Sequence, residues 1–118
     1  MIVADYNGRS LVLCDERSED FSTRITAVVE KGRFKVCGRD EGSSVEAFYG
    51  EPVYEYSYRF NAENSWRLFS LLGGGEKDPF DVLAESYTGM NAATQIRKFA
   101  DGNGIEYVFK VDSFRKDA

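Results

Sequence analysis

The sequence predicts an α+β domain: a largely antiparallel sheet of six or seven strands with a block of three helices packed on one face. Three observations support this fold class. Apolar residues alternate with a period of two over most of residues 1–60, as in half-buried strands. The period changes to 3.6 over residues 61–101, which indicates amphipathic helices. It returns to two over residues 104–111, which predicts a final strand before a polar tail at residues 112–118.

Three strand pairs are predicted within the first sixty residues. Their tight turns are placed at Asn7-Gly8, Lys31-Gly32 and Gly50-Glu51. Asn-Gly is the strongest of these signals, because it accepts the positive φ angles of a type I′ hairpin turn. The predicted strands are Ile2–Tyr6 with Arg9–Cys14, Phe21–Glu30 with Arg33–Gly38, and Ser44–Tyr49 with Pro52–Phe60. The first pair would place Ala4 opposite Leu11 and Ile2 opposite Leu13.

The second strand pair has one apolar and one basic face. Phe21, Thr23, Ile25, Ala27 and Val29 share a face on one strand, and Phe34 and Val36 share a face on the other. The opposite face carries a basic stripe: Arg24, Arg33, Lys35 and Arg39. We interpret this stripe as a solvated outer face, because the spaced aromatic residues of an RNA-recognition strand are missing.

A row of aromatic residues is the most informative feature of the third pair. Tyr54, Tyr56, Tyr58 and Phe60 alternate with the more polar set Val53, Glu55, Ser57 and Arg59. We favour a core position for the row, under the helix that contains Trp66. The alternative is an exposed aromatic platform, since tyrosine is a frequent anchor of protein interfaces.

Three helices are predicted from their caps. Asn61, Asp78 and Asn91 are good N-cap residues, and Pro79 suits the first helical position after Asp78. Glycines end each helix: Gly73, Gly89 and Gly102. The run Gly73-Gly74-Gly75 is a link between helices and not a phosphate-binding loop, because it follows a helix and no Lys-Ser pair comes after it.

The length and composition limit the class of protein. A chain of 118 residues, 42% of them hydrophobic, fits one domain with its own core. No apolar run approaches the roughly 20 residues of a membrane span, and no signal-peptide pattern is present. We therefore expect a single cytoplasmic domain, residues 1–118, that does not contact a membrane.

Several kinds of chemistry are excluded. The chain has no histidine, which removes Ser-His-Asp and Cys-His catalysis and histidine-ligated zinc. Cys14 and Cys37 cannot complete a metal site by themselves, and we interpret both as buried hydrophobes in a reducing compartment. A disulfide between them would require neighbouring strands, which the sequence leaves open. We expect no enzyme activity, no metal and no cofactor.

The charge balance favours a protein partner. The net charge is −5, which is unfavourable for binding a phosphate backbone. We expect a small acidic module that inhibits or neutralises a basic protein, as immunity proteins, antitoxins and phage inhibitors of bacterial systems do. The alternatives are a small-ligand-binding domain or regulatory subunit and, third, a nucleic-acid-binding regulator that uses the basic stripe. The candidate partner-binding residues are Glu46, Tyr49, Glu51, Tyr54, Glu55, Tyr56 and Tyr58.

Overall fold

The computed structural model describes residues 3–114, and the side chains of residues 3–111. It confirms the mixed α and β class, with five antiparallel strands paired in chain order and four α-helices within that range. The sheet thus has fewer strands than the six or seven predicted, and one helix more is present. The strands are β1 (Ser10–Arg17), β2 (Ser22–Glu30), β3 (Arg33–Glu41), β4 (Val53–Arg59) and β5 (Val108–Phe114). The helices are α1 (Ser43–Tyr49), α2 (Ala62–Gly73), α3 (Pro79–Ser86) and α4 (Ala92–Gly102).

The predicted hairpin of β2 and β3 is confirmed, and β3 is the central strand of the sheet. Lys31 and Gly32 both have positive φ angles, 53° and 71°, as a type I′ turn requires. Ala27 pairs with Val36, and the inner face of both strands is buried as the alternation predicts. This face forms the core together with Leu68, Phe69, Leu83 and Ile96 of the helices.

The predicted N-terminal hairpin is wrong. Val3–Tyr6 forms a short 3-10 helix, and Leu11 pairs with Ala27 of β2 instead of Ala4. The turn at Asn7-Gly8 packs on the β2–β3 turn, where the Asn7 side-chain oxygen accepts a hydrogen bond from the Gly32 N–H (2.7 Å). The Asn7-Gly8 turn, which the sequence predicts within a hairpin, therefore makes a tertiary contact with the β2–β3 turn instead. Ile2, predicted opposite Leu13, lies outside the described residues.

The third predicted strand pair is also wrong, because Ser43–Tyr49 is helix α1. Val45 is the buried residue of this helix, and the positive φ of Gly50 (84°) ends it. β4 pairs with β3 instead, so that α1 forms the connection between them. The Gly42 N–H donates to the Pro52 carbonyl (2.9 Å) and closes the base of this connection.

Two of the three predicted N-caps are confirmed, and α3 ends at Ser86, before the predicted Gly89. The Asn61 side chain accepts from the Asn64 N–H at the start of α2, and Asp78 accepts from the Phe80 N–H at the start of α3. Asn91 precedes α4 without a side-chain cap bond. The final strand begins at Val108 rather than at residue 104, and it extends to Phe114, into the segment predicted as a polar tail.

Candidate functional site

The tyrosine row lies on the helix-covered face of the sheet, near one edge. Tyr58 pairs with Val36 and Tyr56 with Gly38, and both partners lie on the inner face of β3. All three tyrosines are half-buried, because the helices cover this end of the sheet only in part. Trp66, in the helix that the sequence predicts to cover the row, lines a cleft beside Tyr6 and Phe69 and is 50% exposed. The row is therefore both the margin of the core and part of the surface.

Neighbouring elements extend the row into a continuous aromatic surface. Tyr49 of α1 stacks on Tyr54, with ring centroids 4.4 Å apart and planes at 11°. At the other side, Phe109 of β5 lies 4.9 Å from the Tyr58 ring centroid and 6.1 Å from that of Tyr56. We call this set the aromatic surface: Phe48, Tyr49, Tyr54, Tyr56, Tyr58 and Phe109.

The outer members of the aromatic surface are accessible to solvent. Phe48 is 81% exposed, Tyr49 43% and Phe109 46%. Phe48 contacts Tyr49 edge to face at 4.9 Å between centroids. Large exposed aromatic side chains in contact with one another are costly to leave in water, and in soluble proteins such patches mark interaction sites.

A small pocket opens within the aromatic surface. It has a volume of about 220 Å³ and is lined by Asp40 of β3, the four tyrosines, Phe109, and two residues from the first turn of α4, Ala93 and Thr94. Asp40 is held in place because its Oδ1 accepts a hydrogen bond from Thr23 Oγ1 (2.6 Å). Within residues 3–111, no lysine or arginine side chain forms an ion pair with Asp40.

The electrostatic environment of this pocket is negative. Burial raises the pKa of Tyr56 far above its ordinary value of 10, and the charge of Asp40 adds to the effect. The pKa of Tyr54 is also raised, first by burial and then by Tyr49, Tyr58 and Asp40. Both phenols are therefore neutral at pH 7, and a further negative charge is unfavourable there.

Gly38 makes the close packing of Tyr56 possible. The Tyr56 ring lies directly over the Gly38 backbone, so a Cβ atom at this position would overlap the ring carbons and the phenolic oxygen. The absence of a side chain at Gly38 thus allows Tyr56 to lie flat beside Asp40 at the base of the pocket.

The predicted acidic contacts divide between two faces. Glu46 is exposed on α1, and Glu51 lies in the connection that follows Tyr49. Glu55 points to the opposite face of the sheet, where it is paired with Arg39 (3.4 Å). The structure therefore brings Tyr49, Tyr54, Tyr56 and Tyr58 together, and it separates Glu55 from them.

Sequence reasoning missed three residues of the site. Phe48 and Phe109 are not among the candidates, although both are large aromatic residues within predicted strands. Asp40 lies beyond the predicted end of its strand at Gly38, whereas the structure extends β3 to Glu41 and places Asp40 opposite Tyr54. The sequence gives little indication of this position, because an acidic residue on the inner face of a strand can be recognised only once the extent of the strand is known.

The basic stripe forms the open face of the sheet. Arg24 and Arg39 lie opposite each other in the β2–β3 ladder. Both are balanced by carboxylates, Arg24 by Asp15 (3.4 Å) and Arg39 by Glu55. At one corner a groove of about 550 Å³ is lined by Lys31, Arg33, Lys35, Arg59 and Lys110, together with Glu30.

The two cysteines do not meet. β2 lies between β1, which carries Cys14, and β3, which carries Cys37, so the two strands are about 10 Å apart. That exceeds the roughly 7 Å limit for a disulfide, and neither cysteine forms one; Cys14 is buried as predicted, whereas Cys37 is only half-buried. Burial raises the pKa of Cys14 to about 11, and a hydrogen bond to Glu16 adds to the shift.

Comparison of the chain with protein-family models, with curated proteins and with solved structures finds no match. No helix within residues 3–114 has the length and hydropathy needed to cross a membrane. Among the described side chains, residues 3–111, no three potential metal ligands from cysteine, aspartate and glutamate come together.

Proposed function

We propose that this chain is a non-catalytic protein-binding module of the cytoplasm that inhibits or neutralises a basic partner, in the manner of immunity proteins, antitoxins or phage inhibitors. The observation that carries the proposal is the aromatic surface, whose members contact one another in sequence from Phe48 to Phe109. Three of its rings are more than 40% exposed. Rigid aromatic side chains bury a large area on binding at little cost in conformational entropy.

Charge supplies the second half of the mechanism. The chain carries 20 acidic against 15 basic residues, and Glu46 and Glu51 lie on either side of Tyr49 in the sequence. Acidic side chains around an apolar patch accelerate encounter with a basic partner and disfavour acidic ones. Burial of the exposed rings, Phe48 first, then holds the complex together.

A small-ligand function is the second candidate, because the tyrosine row does line a pocket. The pocket is smaller than the roughly 300–1,000 Å³ typical of sites for drug-sized ligands. It therefore fits a single side chain or a very small molecule better than a cofactor.

Nucleic-acid binding remains the third candidate. The basic stripe is a continuous face, but ion pairs already satisfy Arg24, Arg39 and Lys35. Lysine and arginine side chains bind nucleic acid by displacing the counterions condensed on its phosphates, and side chains already paired with carboxylates are less available for this, so these pairs weaken the case. Retention on DNA or RNA that falls steeply with salt would favour this candidate.

Affinity capture from the chain's own cells tests the proposal. The tagged protein is used at low salt, which preserves electrostatically steered contacts, and bound proteins are identified by mass spectrometry. The variant Glu46→Lys/Glu51→Lys reverses the charge of the two acidic residues beside the aromatic surface. The control Glu76→Lys/Glu85→Lys makes the same change of net charge at exposed positions outside the aromatic surface.

The proposal predicts one stoichiometric basic protein with the wild type and with the control, and its loss from the Glu46/Glu51 variant. Equal loss from both variants would show that net charge alone is responsible and would contradict a defined binding surface. An empty capture would favour the small-ligand candidate, and a thermal-shift screen of metabolites would follow.

A further inference from the structure

The pocket beside Asp40 has a composition suited to one kind of guest. A carboxylate lies at its base, and four tyrosines and Phe109 form its walls. An anion would be repelled by the negative charge of Asp40, and a neutral apolar group would leave that charge uncompensated. An organic cation satisfies both the carboxylate and the rings, because aromatic faces attract cations.

The arrangement of the rings favours a flat cation. The planes of Tyr56 and Tyr58 stand at 81°, so a flat group that stacks on one of them meets the other nearly edge-on. A guanidinium group is planar, stacks on aromatic rings and donates several hydrogen bonds to a carboxylate. A lysine ammonium supplies the charge but neither the stacking nor the paired hydrogen bonds.

Asp40 retains capacity to bind such a group. Thr23 occupies one site on Oδ1, and an ionised carboxylate offers about four acceptor sites in all. The first turn of α4 also borders the pocket through Ala93 and Thr94. Its helix dipole contributes about half a positive charge, which is less than the full negative charge of Asp40.

We propose that this pocket binds the guanidinium group of an arginine side chain presented by the basic partner. The proposal rests on the proposed function, and it adds the chemical identity of one anchor. The arginine stacks among the tyrosine rings and pairs with Asp40, while Phe48 and Tyr49 contact apolar surface around it. The volume of about 220 Å³ matches a single side chain.

Small probes test the pocket without the partner. The ¹⁵N-labelled chain is titrated with N-acetyl-arginine amide and, separately, with N-acetyl-citrulline amide, which has nearly the same shape but no charge. We expect saturable shifts of the backbone amides of Asp40, Tyr54 and Tyr56 with the arginine compound. Binding of the citrulline compound should be at least about tenfold weaker, because the charge contributes both the ion pair and the cation–π contact.

Two variants locate the effect. Asp40→Asn should reduce binding of the arginine compound to the citrulline level, whereas the exposed control Glu85→Gln should leave it unchanged. Equal binding of the two compounds by the wild type would overturn the proposal, and this comparison needs no variant to fold. An intact preference in Asp40→Asn would overturn it as well.

The outcomes separate this inference from the proposed function. A captured basic protein that depends on Glu46 and Glu51, together with no preference for the arginine probe, would retain the function and reject the arginine anchor. A clear preference for the probe with an empty capture would retain the cation pocket and reject the basic protein as its source.

Discussion

Replacing Gly38 with alanine tests the packing on which the candidate site depends. The added Cβ would overlap the Tyr56 ring, so the ring must leave its position over β3. Tyr56 then loses its contacts with Tyr54, Tyr58 and Phe109. Inserting a methyl group into a packed region of this kind costs about 1–3 kcal/mol.

The backbone itself would tolerate alanine. Gly38 lies in a strand and is not among the glycines with positive φ, and alanine loses less conformational freedom on folding than glycine, by roughly 0.5–1 kcal/mol. Any observed loss of stability therefore reports the overlap with Tyr56. For a domain of this length, we expect the melting temperature to fall by about 4–12 °C.

The assay is thermal unfolding followed by circular dichroism, in both the wild-type and the Tyr56→Ala background. Once the ring is absent, Gly38→Ala should become neutral or slightly stabilising, so the sign of its effect changes. Gly102→Ala is the control, because nothing lies within 4 Å of its Cβ position at the end of α4. An equal cost of Gly38→Ala in the two backgrounds would refute the reasoning.

Three further predictions concern the rest of the fold. The pKa of Cys14 is raised to about 11, so at pH 8 this thiol should react with iodoacetamide more slowly than free N-acetylcysteine does. Peptide mapping measures the rate at Cys14, and a rate equal to that of N-acetylcysteine would contradict its burial. Burial by itself would raise the pKa of Asp78, but hydrogen bonds, including one from Arg9, lower this pKa below its usual 3.8. The stability that ionised Asp78 provides is therefore present above pH 3.8 and lost at lower pH. In urea titrations, Asp78→Ala should lower the free energy of unfolding by about 1 kcal/mol at pH 7 and by less at pH 3. The same loss at both pH values would exclude this linkage. Ser65→Ala removes the buried acceptor of the Phe34 N–H (2.8 Å), and urea unfolding should show a loss of about 1–3 kcal/mol; an unchanged midpoint would contradict it.

Local signals determined which parts of the fold could be predicted. The β2–β3 hairpin has strict alternation and a turn, Lys31-Gly32, whose positive φ angles the structure contains. The starts of α2 and α3 follow from Asn61 and Asp78, because each side chain caps its own helix. Such features need only a few neighbouring residues, so the sequence carries them.

The two wrong strand pairs depended on distant contacts. Asn7 bonds to Gly32, far along the chain, and no pattern around Asn7 reports that partner. Ser43–Tyr49 is too short for its period to separate helix from strand. With that segment helical, β4 pairs with β3, which is an arrangement that the sequence left open.

Local alternation predicted part of the candidate site, and the rest depends on contacts between distant strands. Tyr54, Tyr56 and Tyr58 share a face by simple alternation, and the structure places them together. Asp40 and Phe109 join them only through the register of β3 and β5. That register is set by the pairing of whole strands, so neither residue could be assigned to the site from its neighbours in sequence.

The affinity of the captured partner for single variants tests the central claim most directly. Phe48 is 81% exposed in the aromatic surface, and Trp66 is a comparable exposed aromatic residue on α2, outside it. By isothermal titration calorimetry, Phe48→Ser should weaken binding by about thirtyfold, as the loss of an aromatic anchor worth about 2 kcal/mol would do. Trp66→Ser should leave the affinity within about twofold of the wild type, because a residue outside the interface contributes little. Unchanged binding by Phe48→Ser, or an equal loss with Trp66→Ser, would contradict the assignment of the aromatic surface as the binding site.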